Sequence, residues 1–326
     1  VQQTLAFKKK YSLENLSVHQ LPIERVAELK KTFDKIICTG VLHHLPDPQL
    51  GLRALAQVLD PHGAMHLMVY AAYGRFSVYM LQEYARLLGV SVAEQEIIDF
   101  ANTLMSLPDT HPLAPILAES PDFRTKAGLA DALLNPQERA FTVPEFMELI
   151  SSAGLRFRRW LRQAPYLPQC GRFAETPHFP RLDQLPLQDQ YAAMELLRGT
   201  MLRHSAIVSH QIDQKDQYSV PFDHVNWPAC IPIRLPGSIS VKDNLPPGAN
   251  TVLINQYHTF PDLVLPVDSS QVQIIEAING LRSMGEIISS LSSFGDPKMT
   301  ENRARSFFQQ LWSYDHVVFD TSGTTE

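Results

Sequence analysis

The sequence predicts an α/β fold: a partial parallel sheet with a helical lid, followed by a small α+β domain at the C-terminal end. Strands and helices alternate at short spacing between Leu16 and Tyr70, as they do in parallel βαβ units. The run "KIICT" (Lys35–Thr39) is almost entirely apolar, which is typical of a strand covered on both faces. These two observations favour a parallel sheet in the first part of the chain.

The individual elements of this region follow from local patterns. "LSVHQ" (Leu16–Gln20) predicts a short strand, and Pro22 is suited to the first position of a helix. Asp47 followed by proline is a strong helix start, and an apolar residue at every third or fourth position then predicts a helix with one buried face. "AMHLMVY" (Ala64–Tyr70) predicts the next strand.

Residues 74–135 predict a lid. They contain two amphipathic helices and a proline-rich passage, and a connection this long is uncommon unless it serves a function. A capped helix then extends over Thr142–Leu155, and "RFRRWLR" predicts a strand whose basic face is solvated. Together with the strands before it, this region predicts a first domain over residues 1–165.

The rest of the chain predicts two further parts. Residues 166–225 read as a linker followed by one long helix over Leu187–Gln211. Residues 226–326 predict short helices flanked by short strands, a pattern that resembles small winged-helix-like domains. We expect this last domain to dock a protein or to form homodimers, because its helices show no basic recognition surface for DNA.

Composition narrows the classes of function. The formal net charge of −6 over 326 residues argues against a broad nucleic-acid surface and leaves a local basic patch open. Three cysteines, odd in number and far apart, indicate a reducing cytoplasm and neither a disulfide framework nor a zinc site. We find no apolar run of membrane-spanning length and no leader pattern, so no membrane segment is predicted.

One motif carries a family resemblance. "FDKIICTGVLHHLPDPQLGLRALAQVLDPHGAMHLMVY" (residues 33–70) resembles the second half of a class I S-adenosylmethionine (SAM)-dependent methyltransferase. The match includes Phe33-Asp34 before the strand, Gly40 after it, the Leu-His-His-Leu run, and a Leu-x-Pro-x-Gly turn. His62 replaces the usual first glycine of that turn. The resemblance implies SAM as the cofactor and a Rossmann-like sheet.

The resemblance also implies where the cofactor binds. Thr39, Gly40 and Val41 would line its methionine end, because ligands of such sheets lie beyond the carboxyl ends of the strands. Upstream, Gln20, Leu21 and Pro22 stand where the family binds adenine. They lack the family's Gly-Asp-Ala pattern, so we expect mainly backbone and apolar contacts there.

Candidate catalytic residues lie close by in the sequence. His43 or His44 would act as the base for an acceptor that must lose a proton, since neutral imidazole is available at pH 7. Tyr70, Tyr73 and Arg75 follow the next strand and would line the acceptor pocket. Structural roles stay open beside these: a histidine packed in the core, or a tyrosine cluster that only packs helices. Adjacent histidines without HExxH spacing predict no metal site.

Part of the family's cofactor site is missing from this sequence. There is no glycine-rich (D/E)xGxGxG loop and no acidic residue at the end of a second strand. The chain also begins at Val1 in the middle of a helix-like pattern. We therefore expect an N-terminally truncated methyltransferase acting on an unidentified acceptor. The alternative is a non-catalytic binding or regulatory module on a degenerate methyltransferase scaffold.

Overall fold

The computed structural model describes residues 1–119, 121–135, 137–211, 220–292 and 301–324. These residues form a four-stranded sheet in the order β1-β2-β4-β3. The strands are β1 (Phe33–Thr39), β2 (Leu59–Tyr70), β3 (Leu155–Trp160) and β4 (Arg203–His210). β1 and β2 are parallel, as predicted, while β4 lies antiparallel between β2 and β3. The mixed α/β fold that the sequence predicts is confirmed.

The helices connect and cover these strands. Their bounds are α1 (Gln2–Lys10), α2 (Pro48–Val58), α3 (Phe76–Leu88), α4 (Glu94–Met105), α5 (Ala114–Glu119), α6 (Lys126–Leu134), α7 (Val143–Ser152), α8 (Phe179–Leu182), α9 (Leu187–Arg198), α10 (Ser269–Ala277), α11 (Met284–Ser292) and α12 (Glu301–Ser313). α2 begins as the sequence predicts: the Asp47 carboxylate accepts hydrogen bonds from two backbone amides, and Pro48 follows at N1. α7 begins with a capping box between Thr142 and Glu145.

The main core lies on one face of the sheet. Met65, Leu67 and Val69 of β2 alternate with more exposed residues and are fully buried against α2 and α7. This alternation places every second β2 residue on the opposite face, including His66, Met68 and Tyr70.

The opposite face is open near β1. Ile37 of β1 lies beside His66 in the parallel register and is 75% exposed. β1 is also an edge strand, because among the described residues only β2 pairs with it. An exposed apolar edge of this kind is one that proteins usually cover with another segment.

The lid region forms a separate cluster of helices. Val78 and Leu81 of α3, Phe100 of α4 and Leu133 of α6 are buried together, with Leu113 fully buried among them. The helix predicted at residues 94–105 agrees with α4.

The described residues of the C-terminal part form five short strands and three α-helices. The strands are β5 (Ile231–Arg234), β6 (Ser238–Val241), β7 (Thr251–Asn255), β8 (Val264–Val267) and β9 (Val317–Asp320), paired as β5-β9 and β6-β7-β8. They surround α10, α11 and α12, whose apolar faces form a second core. The predicted helices and strands are present, and the winged-helix likeness stays a prediction.

Three local predictions are wrong. Leu16–Gln20 forms no strand, since the described residues offer it no neighbouring strand. The long helix at residues 187–211 stops when Gly199 adopts φ +64°, and residues 203–210 become the strand β4 instead. The helix after Pro22 is a 3-10 helix over Ile23–Leu29.

A fourth prediction, the solvated basic face of β3, also fails. The Arg159 side chain is only 20% exposed and pairs with Asp315 at 2.9 Å. Arg158 donates to Ser209 Oγ at 2.6 Å. These contacts turn the basic residues of β3 towards protein as well as solvent. No helix of the described residues is long and apolar enough to cross a membrane.

Candidate acceptor site at the carboxyl ends of β1 and β2

The candidate site lies where β1 and β2 end side by side. Thr39 and Met68 are partners in the parallel register, so Gly40 and Tyr70 follow at the same edge of the sheet. Ligands of open α/β sheets bind outside the carboxyl ends of the strands. The turns that follow β1 and β2 are therefore the expected place for a ligand.

The turn after β1 positions the histidine pair. Gly40 has φ +74°, a conformation that side-chain-bearing residues rarely adopt, and it redirects the chain into a 3-10 turn over Leu42–His44. Leu42 is fully buried and anchors this turn in the core. His43 is then fully buried, whereas His44 is half-buried.

Aromatic stacking connects the histidines to the end of β2. The His43 ring centroid lies 3.9 Å from that of Tyr70 and 4.3 Å from that of His44. The Arg75 guanidinium carbon lies 3.5 Å from the Tyr70 ring centroid. The Tyr70 ring thus packs against both the His43 imidazole and the Arg75 cation.

Arg75 is buried and held by an acidic partner from the far end of the lid. Its Nη2 donates to Glu138 Oε1 at 3.0 Å, and the two side chains are 5% and 1% exposed. Burial lowers the pKa of the Arg75 guanidinium, but Glu138, Tyr79 and Tyr70 outweigh burial and leave that pKa above its ordinary value. The guanidinium is therefore a buried cation, and removing Glu138 would leave it uncompensated.

A return segment (residues 137–141) brings Glu138 to this position. Arg139 N–H donates to His43 O at 2.9 Å, and Phe141 N–H donates to Tyr70 O at 2.9 Å. The His44 Nδ1 atom lies 3.2 Å from Gln137 O and 3.2 Å from Asn135 Nδ2. The return segment is hydrogen-bonded to the histidine turn after β1 and to the end of β2.

Several buried polar atoms of this cluster lack hydrogen-bond partners within the described part of the chain. They are both ring nitrogens of His43, Arg75 Nε, Tyr79 Oη and Glu138 Oε2. Burial, followed by Glu138, raises the pKa of the Tyr79 hydroxyl to about 12. Burial, followed by His44 and Arg75, lowers the pKa of His43 to about 3. Unused hydrogen-bonding capacity of this density is rare in native interiors and is typical of a place where water or a ligand binds.

The structure brings together four of the residues that the sequence singled out for catalysis or acceptor binding: His43, His44, Tyr70 and Arg75. Tyr73 does not join their stack and is 44% exposed. The predicted cofactor residues divide into two sets. Thr39, Gly40 and Val41 are exposed at the strand end, and Gln20, Leu21 and Pro22 lie in a segment without regular structure. Their roles stay predictions.

Sequence reasoning missed the acidic member of the cluster. Glu138 directly precedes Arg139, which is largely exposed and lies 3.5 Å from Glu145. The one indication in the sequence was that an acidic residue, Glu138, follows closely after the long lid insertion. Only the fold shows that this return ends beside the histidine turn.

A second polar cluster has a catalytic appearance but no access. His204 Nε2 lies 3.0 Å from Glu195 Oε1, and its Nδ1 lies 2.8 Å from the Tyr166 hydroxyl. Tyr166, Glu195 and His204 are 4%, 1% and 0% exposed. Glu195 Oε2 also accepts the Val143 N–H at 2.8 Å, at the start of α7. The three side chains are buried and hydrogen-bonded to one another and to the start of α7, so this cluster joins the elements of the core.

The parallel β1–α2–β2 unit, with an antiparallel strand inserted beside β2, is consistent with the Rossmann-like fold of class I methyltransferases. Residues 2–67 match the family model described as "Methyltransferase domain". An uncharacterized protein of Synechococcus sp., syc1184_c, is 47% identical over 75 residues. The sequence resemblance at the histidine turn is thereby confirmed.

Solved structures extend the likeness in fold over nearly the whole chain. The structure of PKMT2 from Rickettsia typhi superposes with a TM-score of 0.63 over 97% of this chain at 15% identity. The structure of PKMT2 in complex with AdoHcy gives a TM-score of 0.60 over 98% of this chain at 14% identity. The alignments span 64% of PKMT2 and 18% of the Synechococcus protein, so this chain matches only part of each.

Proposed function

We propose that this chain forms the acceptor-side portion of a SAM-dependent methyltransferase and that the intact enzyme methylates an acceptor at the carboxyl ends of β1 and β2. The observation that carries this proposal is the buried cluster of His43, Tyr70, Arg75 and Glu138 at that edge of the sheet. The methyltransferase family match over residues 2–67 and the AdoHcy complex of PKMT2 support SAM as the methyl donor.

The described residues do not fit the whole cofactor. A Cβ placed on Gly40 would meet no heavy atom within 4 Å, so the turn after β1 is open and encloses nothing. Thr39 and Val41 beside it are exposed. Neither a glycine-rich loop nor a ribose-binding acid is in the sequence. The chain offers an open surface to the methionine end of SAM and lacks groups for the adenosine.

We infer that further strands complete this sheet in the intact protein. The unpaired edge of β1 and the 75% exposed Ile37 beside it support the inference, since a parallel sheet is normally covered on both faces. Those strands would carry the missing glycine loop. The buried free thiols Cys38, Cys170 and Cys230 agree with a cytoplasmic location.

Within the site, His44 is the better-placed base. Its Nδ1 lies 3.2 Å from both Gln137 O and Asn135 Nδ2, and we assign the tautomer with the proton on Nδ1, which donates to the carbonyl and leaves the Nε2 lone pair to take a proton from the acceptor. His43 is fully buried, and its pKa of about 3 makes it a weak base. We assign His43 to support Tyr70 and His44 by ring contact.

The test of the cofactor proposal is AdoHcy binding. We expect a protein extended upstream into the glycine-loop region to bind AdoHcy, and residues 1–326 alone to bind at least about 100-fold more weakly, because every lost charge-assisted hydrogen bond costs about 1.5–3 kcal/mol. Isothermal titration calorimetry measures both. If the extended protein fails to bind AdoHcy, the non-catalytic module is the correct description.

The test of the base is turnover in the extended protein. His44→Gln is expected to lower kcat by about 100-fold or more, the usual contribution of a general base. His178→Gln, at an exposed histidine before α8, is the matched control. An unchanged kcat in His44→Gln removes the base from the mechanism.

A further inference from the structure

Two arginines lie at the same edge of the sheet as the candidate acceptor site. Arg203 begins β4 and is the register partner of Tyr70 at the end of β2. Leu161, directly after β3, donates its N–H to Ser205 O at 2.8 Å, which carries Arg162 alongside the start of β4. Arg162 is half-buried and Arg203 is exposed.

In the described ranges, no carboxylate forms an ion pair with Arg162 or Arg203. The acids around this edge are already engaged: Glu138 with Arg75, and Asp315 with Arg159. Burial, followed by the charge of Arg203, lowers the pKa of the Arg162 guanidinium, while Asp315 and Tyr257 act in the opposite direction.

An aromatic ring of the C-terminal part stands beside the pair. The Arg162 guanidinium carbon lies 5.6 Å from the Tyr257 ring centroid, and Tyr257 is 50% exposed. The ring holds Arg162 in place without neutralising it. Arg162 and Arg203 therefore place two positive charges at the edge of the sheet, next to the C-terminal part.

We propose that Arg162 and Arg203 bind a phosphate group of the methyl acceptor. A dianionic phosphate matches two unpaired guanidinium groups in charge, and its oxygens suit their planar N–H donors. A single carboxylate would leave one of the two positive charges uncompensated. That the phosphate belongs to the acceptor rests on the proposed function; that the pair binds phosphate does not.

The experiment compares thermal unfolding of residues 1–326 in sodium phosphate and in sodium chloride of equal ionic strength. Phosphate at ten times its Kd is expected to raise Tm by about 2–4 °C in the wild type. Arg162→Gln and Arg203→Gln are each expected to lose this rise, because each removes half of the positive charge. Arg181→Gln, at an exposed arginine of α8, keeps it.

Both variants should fold, since neither breaks an ion pair of the described residues. Their Tm in chloride is expected to stay close to that of the wild type. The proposal is overturned if phosphate stabilises all four proteins equally, if it stabilises none, or if sodium acetate protects the wild type as well as phosphate does. AdoHcy binding by the extended protein is measured separately, so failure of the methyltransferase proposal leaves this test intact.

Discussion

His43 is a polar residue in an apolar position. Both of its ring nitrogens are buried without partners in the described structure, and its ring lies against Tyr70 and His44. The sequence left two roles open for the histidines of this motif: a residue packed in the core, and a catalytic base. Burial separates the two roles, because the buried ring loses its basicity while half-buried His44 keeps contact with solvent.

The buried histidines predict how stability depends on pH. Burial lowers the pKa of both His43 and His316 to about 3, against 6.5 as the ordinary value. Between pH 6.5 and 3 the unfolded chain binds protons that the folded chain excludes. The free energy of unfolding therefore falls as pH drops through this window, by about 1–2 kcal/mol per histidine at pH 5 relative to pH 7.5.

Urea unfolding at pH 7.5 and pH 5 measures this effect. His43→Phe keeps the ring stack and removes the titrating group, so its loss of stability between the two pH values is expected to be smaller. His178→Gln, at an exposed position, should behave like the wild type. An identical pH dependence in His43→Phe and wild type would refute the assignment to His43.

At the scale of elements, α9 and β4 are the part of the fold that the sequence pattern misplaces. Residues 187–211 contain apolar residues at spacings that suit a helix, and Gly199 is the break within them. The glycine ends α9 in a left-handed turn, and the following residues insert between β2 and β3. Pairing on both sides outweighs helix preference, because a central strand satisfies all of its backbone groups.

Glu195 joins α9 to α7 and β4. It lies on α9, accepts the first N–H of α7 and faces His204 of β4, so one buried carboxylate contacts three elements. Glu195→Gln replaces an acceptor oxygen with a donor that faces either an N–H or the imidazole. We expect a loss of about 2–3 kcal/mol in the free energy of unfolding, the cost of a broken buried charged hydrogen-bond network.

Chemical denaturation of Glu195→Gln measures that loss. Glu148→Gln on the exposed side of α7 is the matched control and should change stability by about 0.5 kcal/mol or less. A Glu195→Gln variant as stable as the control would show that the cluster carries no net energy.

At the scale of the whole molecule, Asp315 joins the sheet to the C-terminal part. Its carboxylate pairs with Arg159 of β3 at 2.9 Å and lies 3.1 Å from His258 Nε2. It also accepts the Ala164 N–H at 3.0 Å. Asp315 has φ +58°, a left-handed conformation that aspartate tolerates better than most residues. The two parts of the chain thus share one buried charge.

Asp315→Asn isolates the contribution of that charge. Asparagine accepts the left-handed backbone, but its amide cannot accept from all three donors and leaves Arg159 uncompensated. We expect unfolding to become easier by about 3 kcal/mol. Differential scanning calorimetry then shows a lower Tm and a separate transition for the C-terminal part, whereas Asp109→Asn at an exposed loop leaves a single transition. A single transition at the wild-type Tm in Asp315→Asn would contradict the shared charge.

The elements that are specified by neighbouring residues in the sequence were predictable. The Asp47-Pro48 helix start, the all-apolar β1 and the capping box of α7 each depend on neighbours within a few positions. The position of the histidine turn, at the carboxyl end of β1, was predictable for the same reason. Leu16–Gln20 was misassigned because a strand also needs a partner, and none is described beside it.

The sequence by itself determined the βαβ order, the turn at Gly40 and the family likeness of residues 33–70, since all three are written in contiguous patterns. Only the tertiary structure decided that Glu138 meets Arg75, across 63 positions of chain, and that Arg159 meets Asp315, across 156. Such pairs carry no local periodicity. They form because the sheet brings distant turns to one edge, where low polarity makes each buried charge require a partner.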